Sequence, residues 1–398
     1  MSTDPRARRN ALVLAISQAV VGSATPVSIS LGALAGHFLL GADKSLATAP
    51  VTAQNIGLAL GTLPAAWLMR RFGRKVGFHA GTMVTGLAGL VATLALFRGS
   101  FLMFAAGLWM IGMGAAFVQQ YRFAAADAAP IEDKPKAISM VLAGGVFAAI
   151  VGPQTVIWTR DLFAPVMFAG AFAAIIVLAM VGAFVLTFLD LPKEEAAHAA
   201  SESTGRPLSV IVSQPRFIVA MVSGVSSYAL MSFVMTGAPL AMVGCGFTPD
   251  EATLGISWHV MAMFAPSFFT GQLIARFGKE TIVAIGLVLL AGSGLVALSG
   301  LELWQFWGSL ILLGLGWNFA FIGATAMVAD CYAPAEKNKV QGVHDFVLFS
   351  TVAFASLMSG WIYTNHGWAM LNWIIFPVVM IALIAVGYLV SMRRSAVR

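Results

Sequence analysis

Two pairs of side chains in this sequence have types and spacings suited to binding a metal ion. Met231 and Met235 are four residues apart, and His259 and Met263 repeat that spacing. On a helix, residues i and i+4 lie on one face, one turn apart, so each pair would present both side chains together. Thioether sulfurs with an imidazole form a soft donor set, which suits copper(I) far better than magnesium, calcium or manganese. These four residues are therefore the predicted metal ligands.

Side-chain packing is the alternative interpretation of the same pairs. The chain has 20 methionines, so about one pair at this spacing is expected by chance, and methionine commonly fills gaps in apolar cores. His259 favours metal binding, because an imidazole on an apolar helix needs a partner or a water-filled cavity.

The elements that must position these residues are membrane-spanning helices. Of the 398 residues, 59% are hydrophobic and 10% are charged, with a mean hydropathy of +0.87. A soluble domain has roughly 25% charged residues, so the composition predicts an all-α integral membrane protein. Twelve apolar stretches are long enough to cross a bilayer as helices. They span approximately residues 11–40, 48–69, 76–97, 100–121, 137–158, 164–189, 217–243, 252–275, 280–300, 304–328, 340–363 and 367–391.

The positive charges predict the orientation of these segments. If both termini are cytoplasmic, 20 of the 23 lysines and arginines lie in cytoplasmic segments, and only Lys44, Arg98 and Arg160 lie outside. Cytoplasmic loops carry such an excess of basic residues, so the sequence predicts a multi-pass protein with both termini inside. The net charge of +6 follows from this topology, and nucleic-acid binding is not needed to explain it.

In this orientation the two candidate pairs lie at similar depth. Met231 and Met235 precede the outer end of the seventh segment, whereas His259 and Met263 follow the outer start of the eighth. At about 1.5 Å per residue, all four lie roughly 10–18 Å below the outer edge, near the bilayer midplane. The short connection predicts that the two helices are antiparallel neighbours.

The chain contains two copies of one six-helix design. Residues 71–74, Arg-Phe-Gly-Arg, recur 205 residues later as Arg-Phe-Gly-Lys, and Asp127 recurs 203 residues later as Asp330. We predict an N-terminal six-helix bundle at 1–189, a cytoplasmic linker at 190–216 and a C-terminal six-helix bundle at 217–398. Such repeats are typical of transporters that open a central site to alternate sides.

The repeated loop resembles the signature of the major facilitator superfamily. The resemblance implies the fold of that family, with twelve transmembrane helices in two pseudo-symmetric bundles. The loop departs from the family pattern at the position before each signature arginine, where the family usually has an acidic residue. This chain has Arg70 in the first copy and Ala275 in the second. The resemblance implies that the loop residues govern conformational exchange, namely Arg71, Gly73, Arg74, Arg276 and Gly278.

The Met and His pairs resemble those of the CcoA-like bacterial copper importers, which carry M-x-x-x-M in helix seven and H-x-x-x-M in helix eight. This resemblance implies copper import across the bacterial inner membrane for cytochrome c oxidase assembly, with copper as substrate and no resident cofactor. Downstream partners would be copper chaperones or oxidase assembly factors. Cys245, His366 and Met370 are candidates for a metal path, although the last two also fit an interfacial histidine over a packing methionine.

Other functions stay open. His344 and Asp345 are candidates for a proton relay, because the carboxylate can orient and charge the imidazole. Relatives of the copper importers include riboflavin transporters, and Trp304, Trp307, Trp317 and the many phenylalanines are candidates to stack a flavin ring. These aromatic side chains equally suit interfacial belts and lipid-facing packing. A drug or metabolite exporter and a non-transporting membrane sensor are further alternatives. No nucleophile–base–acid constellation is present, so an enzyme is not predicted.

Overall fold

A computed structural model describes residues 5–130, 134–191, 205–333 and 336–397. Over these residues the chain is helical and contains no β-strand. A short 3-10 turn, Val21–Ser23, joins the first two α-helices. The helices are α1 (Pro5–Val20), α2 (Ala24–Leu39), α3 (Ala49–Phe72), α4 (Arg74–Phe97), α5 (Phe101–Val118), α6 (Tyr121–Asp127), α7 (Lys134–Thr159), α8 (Ala169–Thr187), α9 (Leu208–Val212), α10 (Pro215–Gly244), α11 (Pro249–Phe264), α12 (Ser267–Phe277), α13 (Lys279–Leu298), α14 (Leu303–Ala329), α15 (Lys337–Trp373) and α16 (Ile375–Val397).

Each predicted apolar segment coincides with one of these helices or with two consecutive ones. Within the described residues, nine helical stretches are long and apolar enough to cross a membrane, and the bent pair α11–α12 makes a tenth. The count is lower than twelve for two reasons. Polar residues such as Gln54 and Asn55 interrupt the apolar run of α3, and the stretch Val340–Met392 covers two predicted segments. Gly367, with φ 77° and ψ −179°, breaks the helix inside that stretch.

The first compact unit comprises residues 1–196 and 239–265. Leu14 of α1, Phe78 of α4, Tyr121 of α6 and Leu186 of α8 are fully buried in one apolar cluster. The rings of Phe78 and Tyr121 meet edge to face, with centroids 4.8 Å apart. Lipid is as apolar as these side chains, so close packing rather than removal from water stabilises contacts between helices in a membrane. This cluster therefore packs together helices that are distant in sequence.

Two contacts place α11 in the first unit. Ser257 of α11 donates a hydrogen bond from Oγ to the backbone oxygen of Ala149 in α7, at 2.6 Å. At the far end of α7, the guanidinium of Arg160 lies 3.0 Å from the carboxylate of Asp250. The buried Ser257 hydroxyl keeps a hydrogen-bond partner in the Ala149 carbonyl, so its burial among apolar side chains costs little free energy.

The second compact unit comprises residues 197–238 and 266–398. In this unit α13 and α14 approach so closely that a side chain on Gly286 would collide with the backbone of Ala320. Ser359 of α15 donates to the backbone oxygen of Phe233 in α10, at 2.6 Å. Asn318 of α14 accepts from Thr270 of α12 at 2.6 Å, so polar side chains join this set of helices from within.

The division between the units falls at two prolines. One boundary lies inside α10 between Ala238 and Pro239, and the other separates Ala265 from Pro266, where α11 and α12 meet at 43°. Proline lacks the N–H that a helix interior needs, so both positions lack one backbone hydrogen bond. Contacts thus group 239–265 with the N-terminal helices, whereas the sequence repeat divides the chain near 190–216. The predicted bundle boundaries stay a prediction, and residues 192–204 of the linker lie outside the described residues.

Candidate functional site

The four predicted copper ligands lie on helices, as their spacing requires. Met231 and Met235 of α10 are 2% and 6% exposed, and they belong to the second unit. His259 and Met263 of α11 are 0% and 7% exposed, and they belong to the first unit. Each pair therefore lies on one helical face. A single metal site formed by all four stays a prediction. Among the described residues, no group of three histidine, cysteine, aspartate or glutamate side chains is arranged to hold a metal ion.

The three predicted metal-path residues occupy different environments. Cys245 follows the end of α10 and is exposed, and partial burial raises the pKa of its thiol. His366 is exposed and its ring lies 5.5 Å from that of Trp361. Met370 is 46% exposed. The non-helical Gly367 lies between His366 and Met370, so their four-residue spacing does not correspond to one regular helical turn. The role of these residues in a metal path stays a prediction.

The repeated signature loop has the same backbone geometry in both copies. Gly73 joins α3 to α4 with φ 86° and ψ 157°, and Gly278 joins α12 to α13 with φ 85° and ψ 155°. This region is open essentially to glycine alone. The residue after each glycine pairs with the repeated aspartate: Arg74 with Asp127 at 2.6 Å, and Lys279 with Asp330 at 2.6 Å.

The signature arginines contact aromatic rings of their own helices. The guanidinium of Arg71 lies 6.0 Å from the ring centroid of Trp67 and 5.6 Å from that of Phe72. Arg276 lies 5.2 Å from the ring of Phe277. These distances are those of weak cation–π contacts. The loop thus repeats in three dimensions, while its role in conformational exchange stays a prediction.

The His344–Asp345 pair lies on α15 in the second unit. Nδ1 of His344 is 2.9 Å from Oδ1 of Asp345. The imidazole is 7% exposed, whereas the carboxylate is 59% exposed. A carboxylate within an apolar helix is costly unless it reaches water, a partner or a ligand. The pairing that the sequence predicts is present, and its use as a proton relay stays a prediction.

An aromatic cluster in the second unit was not predicted as a group. Its members are Tyr228 of α10, Trp317 and Phe321 of α14, and Phe349 of α15. Trp317 and Phe321 are nearly parallel, with centroids 5.2 Å apart and 16° between their planes. Tyr228 stands edge-on to Trp317 at 5.3 Å and to Phe321 at 5.0 Å. It also contacts Phe349 at 6.1 Å. Of the three tryptophans predicted as flavin-stacking candidates, only Trp317 lies in this cluster.

The cluster lies near the middle of its helices. Arg216 at the start of α10 bonds to Asp330 at the end of α14, at 2.7 Å, so these two helix ends lie on one side of the unit. Tyr228 is about 20 Å from its helix end on that side, and Trp317 about 18 Å. Trp304, by contrast, is 60% exposed at the far end of α14 and donates to Glu302 at 2.8 Å.

Sequence comparison identifies the family. The sequence profile of the Major Facilitator Superfamily matches residues 11–266 and 220–397. The chain belongs to this superfamily. It is 53% identical over 384 residues to the riboflavin transporter RfnT of Brucella anthropi, with 96% of each chain covered. It is 29% identical over 384 residues to the uncharacterised facilitator-type transporter YddS of Bacillus subtilis, covering 90% of this chain and 86% of that protein.

Solved structures of facilitator-superfamily transporters have the same fold. The xylose transporter XylE of E. coli, in a partially occluded inward-open conformation, matches with a TM-score of 0.71. A D-xylose–proton symporter matches with a TM-score of 0.75. Both are 13% identical, and each comparison covers 96% of this chain and 97% of the other. The predicted fold class is therefore confirmed, and this facilitator-superfamily protein is a multi-pass membrane transporter.

Proposed function

We propose that this protein is a secondary-active transporter that imports riboflavin across the bacterial inner membrane, with both termini in the cytoplasm. The observation that carries the proposal is the 53% identity to the riboflavin transporter RfnT, which extends over 96% of both chains. Identity of this extent includes both units and the segments that join them. Riboflavin was the alternative in our sequence analysis, and it now stands ahead of copper.

The helices of this chain also suit an organic substrate. Riboflavin consists of a flat tricyclic isoalloxazine ring and a ribityl chain with several hydroxyl groups. Such a molecule needs aromatic surface for the ring and a few hydrogen-bonding groups for the chain. The second unit has an aromatic cluster centred on Tyr228 near the middle of its helices. It also has a partly exposed carboxylate at Asp345.

Copper import is the second candidate, and its support is the sequence motif together with the burial of His259. That imidazole is 0% exposed on an apolar helix, a position at which histidine usually has a functional reason. The named relatives, however, include a riboflavin transporter and none described as carrying copper. Copper import would require Met231 and Met235 to join His259 and Met263 at one stage of the transport cycle.

Uptake by intact cells tests the proposal. A bacterial strain that cannot make riboflavin should grow at low external riboflavin when it produces this protein, and it should accumulate labelled riboflavin in a saturable manner. Cells with the empty vector are the control, and copper accumulation is measured in the same cells. Absence of riboflavin uptake at a verified level of protein in the membrane would contradict the proposal. Copper accumulation in those cells would then favour the second candidate.

A further inference from the structure

The aromatic cluster of the second unit has the shape of a site for a flat ring. Phe321 and Trp317 present nearly parallel planes, 16° apart, and Tyr228 stands at 84° to Phe321. A planar ligand that stacks parallel to Phe321 would therefore lie nearly perpendicular to the ring of Tyr228. Offset stacking and edge-to-face contact are the two arrangements that aromatic rings prefer. The cluster offers both at once.

The exposure of the rings distinguishes this cluster from a closed core. Trp317 is 7% exposed, whereas Tyr228, Phe321 and Phe349 are each only partly buried. By contrast, Phe104 and Phe172, an edge-to-face pair in the first unit, are both fully buried. Tyr228 contacts rings from two other helices, so its side chain lies among the helices of the unit. The cluster therefore keeps accessible aromatic surface near the middle of its helices.

A polar group lies one turn from the cluster on the same helix. Asp345 precedes Phe349 by four residues on α15, so both side chains lie on one helical face. His344 holds one oxygen of Asp345 at 2.9 Å, and the carboxylate remains 59% exposed. An ionised carboxylate accepts hydrogen bonds and cannot donate them. Hydroxyl groups of a ligand can therefore donate hydrogen bonds to it.

We propose that Phe321 and Tyr228 bind the isoalloxazine ring of riboflavin and that Asp345 accepts hydrogen bonds from the ribityl hydroxyls. This assignment rests on the proposed function and deepens it. Trp317 stacks against Phe321 and holds the orientation of its ring, so it is a positioning residue. His344 orients the carboxylate toward the substrate, which gives the pair a binding role that does not require proton transfer.

Two ligands separate the contributions of the ring and the chain. Riboflavin carries both parts, whereas lumiflavin has the same isoalloxazine ring with a methyl group in place of the ribityl chain. Binding to the purified, detergent-solubilised protein is followed by the flavin fluorescence. Phe321→Leu should weaken both ligands by about tenfold, the scale of one lost aromatic stack. Asp345→Asn should weaken riboflavin by about fivefold and leave lumiflavin unchanged.

Matched variants separate ligand contact from damage to the fold. Phe319→Leu lies on the same helix two residues from Phe321, where its ring contacts Phe269 at 6.5 Å, and it should bind both flavins as the unaltered protein does. Tyr228→Phe keeps the ring and removes the hydroxyl. This variant should therefore keep its affinity for both flavins, whereas Tyr228→Leu, which removes the ring, should weaken both by about fivefold.

The outcomes distinguish this inference from the proposed function. If the unaltered protein binds neither riboflavin nor lumiflavin, the proposed function is wrong and the site assignment falls with it. If the unaltered protein binds both while Phe321→Leu, Tyr228→Leu and Asp345→Asn all keep its affinities, the site assignment alone is wrong. A loss of binding by Phe321→Leu that Phe319→Leu shares would likewise overturn it, because the effect would then be structural.

Discussion

At the scale of single residues, spacing in the sequence shows some sites and hides others. The pairs Met231–Met235 and His259–Met263 are visible because four-residue spacing is a local property of a helix. The aromatic cluster is hidden, because Tyr228 and Phe349 come from helices more than one hundred positions apart in the sequence. Only Trp317 and Phe321 show a helical spacing to each other. Which partner a ring meets depends on the packing of the whole unit.

The buried methionines of α10 provide a residue-scale prediction. Leucine has nearly the volume of methionine and lacks its sulfur, so such exchanges usually cost less than about 1.5 kcal/mol. The double variant Met231→Leu, Met235→Leu should take up riboflavin within about twofold of the unaltered protein. Met242→Leu, at a fully buried position of the same helix, is the matched control. Copper accumulation that the unaltered protein supports and this double variant loses would instead support the copper hypothesis.

At the scale of elements, the sequence predicted helices and loops well because both depend on local patterns. The twelve apolar segments all coincide with helices, and the two signature loops have matching backbone angles at Gly73 and Gly278. The break at Gly367 and the bend at Pro266 were not predicted. Glycine and proline are tolerated inside transmembrane helices, so their presence alone does not show which position bends.

Two glycine-to-alanine substitutions, one in the signature loop and one inside a helix, should differ only in the backbone strain they introduce. Gly73→Ala places a side chain in open space but at φ 86°, so the cost should be about 1–3 kcal/mol of backbone strain. Gly271→Ala also enters open space, inside α12 and without a positive φ, and should not destabilise the protein. Thermal unfolding in detergent measures both. Equal unfolding temperatures for the two variants would show that the loop adapts without strain.

An ion pair between a half-exposed arginine and a buried glutamate anchors the segment before α9 within the second unit. The guanidinium of Arg206 binds both carboxylate oxygens of Glu336, at 3.0 and 2.8 Å. The hydrogen bonds from Arg206, with a further one from the backbone N–H of Ala333, lower the pKa of Glu336 to about 2. The carboxylate is 3% exposed, so its loss should leave Arg206 without its main acceptor.

This pair predicts a pH-dependent effect of Glu336→Gln. A carboxyl group whose pKa falls on folding stabilises the folded state above its unfolded pKa, and it loses that contribution as pH drops through the folded pKa. The variant should therefore unfold at a lower temperature at pH 7, and the difference should shrink between pH 4.5 and about 2. Asp161→Asn, which alters an exposed pair with Arg160, should have little effect. A constant difference at all pH values would show that packing, not charge, is responsible.

At the scale of the whole molecule, hydropathy predicted an all-α membrane protein but not the grouping of its helices. The internal repeat and the resemblance of its loop predicted a facilitator-type transporter, which the family match confirms. The grouping of 239–265 with the N-terminal helices depends on tertiary contacts such as that of Ser257 with Ala149. The substrate was the hardest property to predict, because the copper motif and the aromatic cluster that we propose for flavin binding occur in the same chain.

Transport by the purified protein tests the central claim most directly. The protein is reconstituted into sealed liposomes loaded with unlabelled riboflavin, and the entry of labelled riboflavin is followed by counterflow, with labelled copper measured in parallel. We predict saturable riboflavin entry that excess unlabelled riboflavin in the outer solution abolishes, and no protein-dependent copper entry. Copper entry without riboflavin entry would contradict the account and return Met231, Met235, His259 and Met263 to first place as the substrate site.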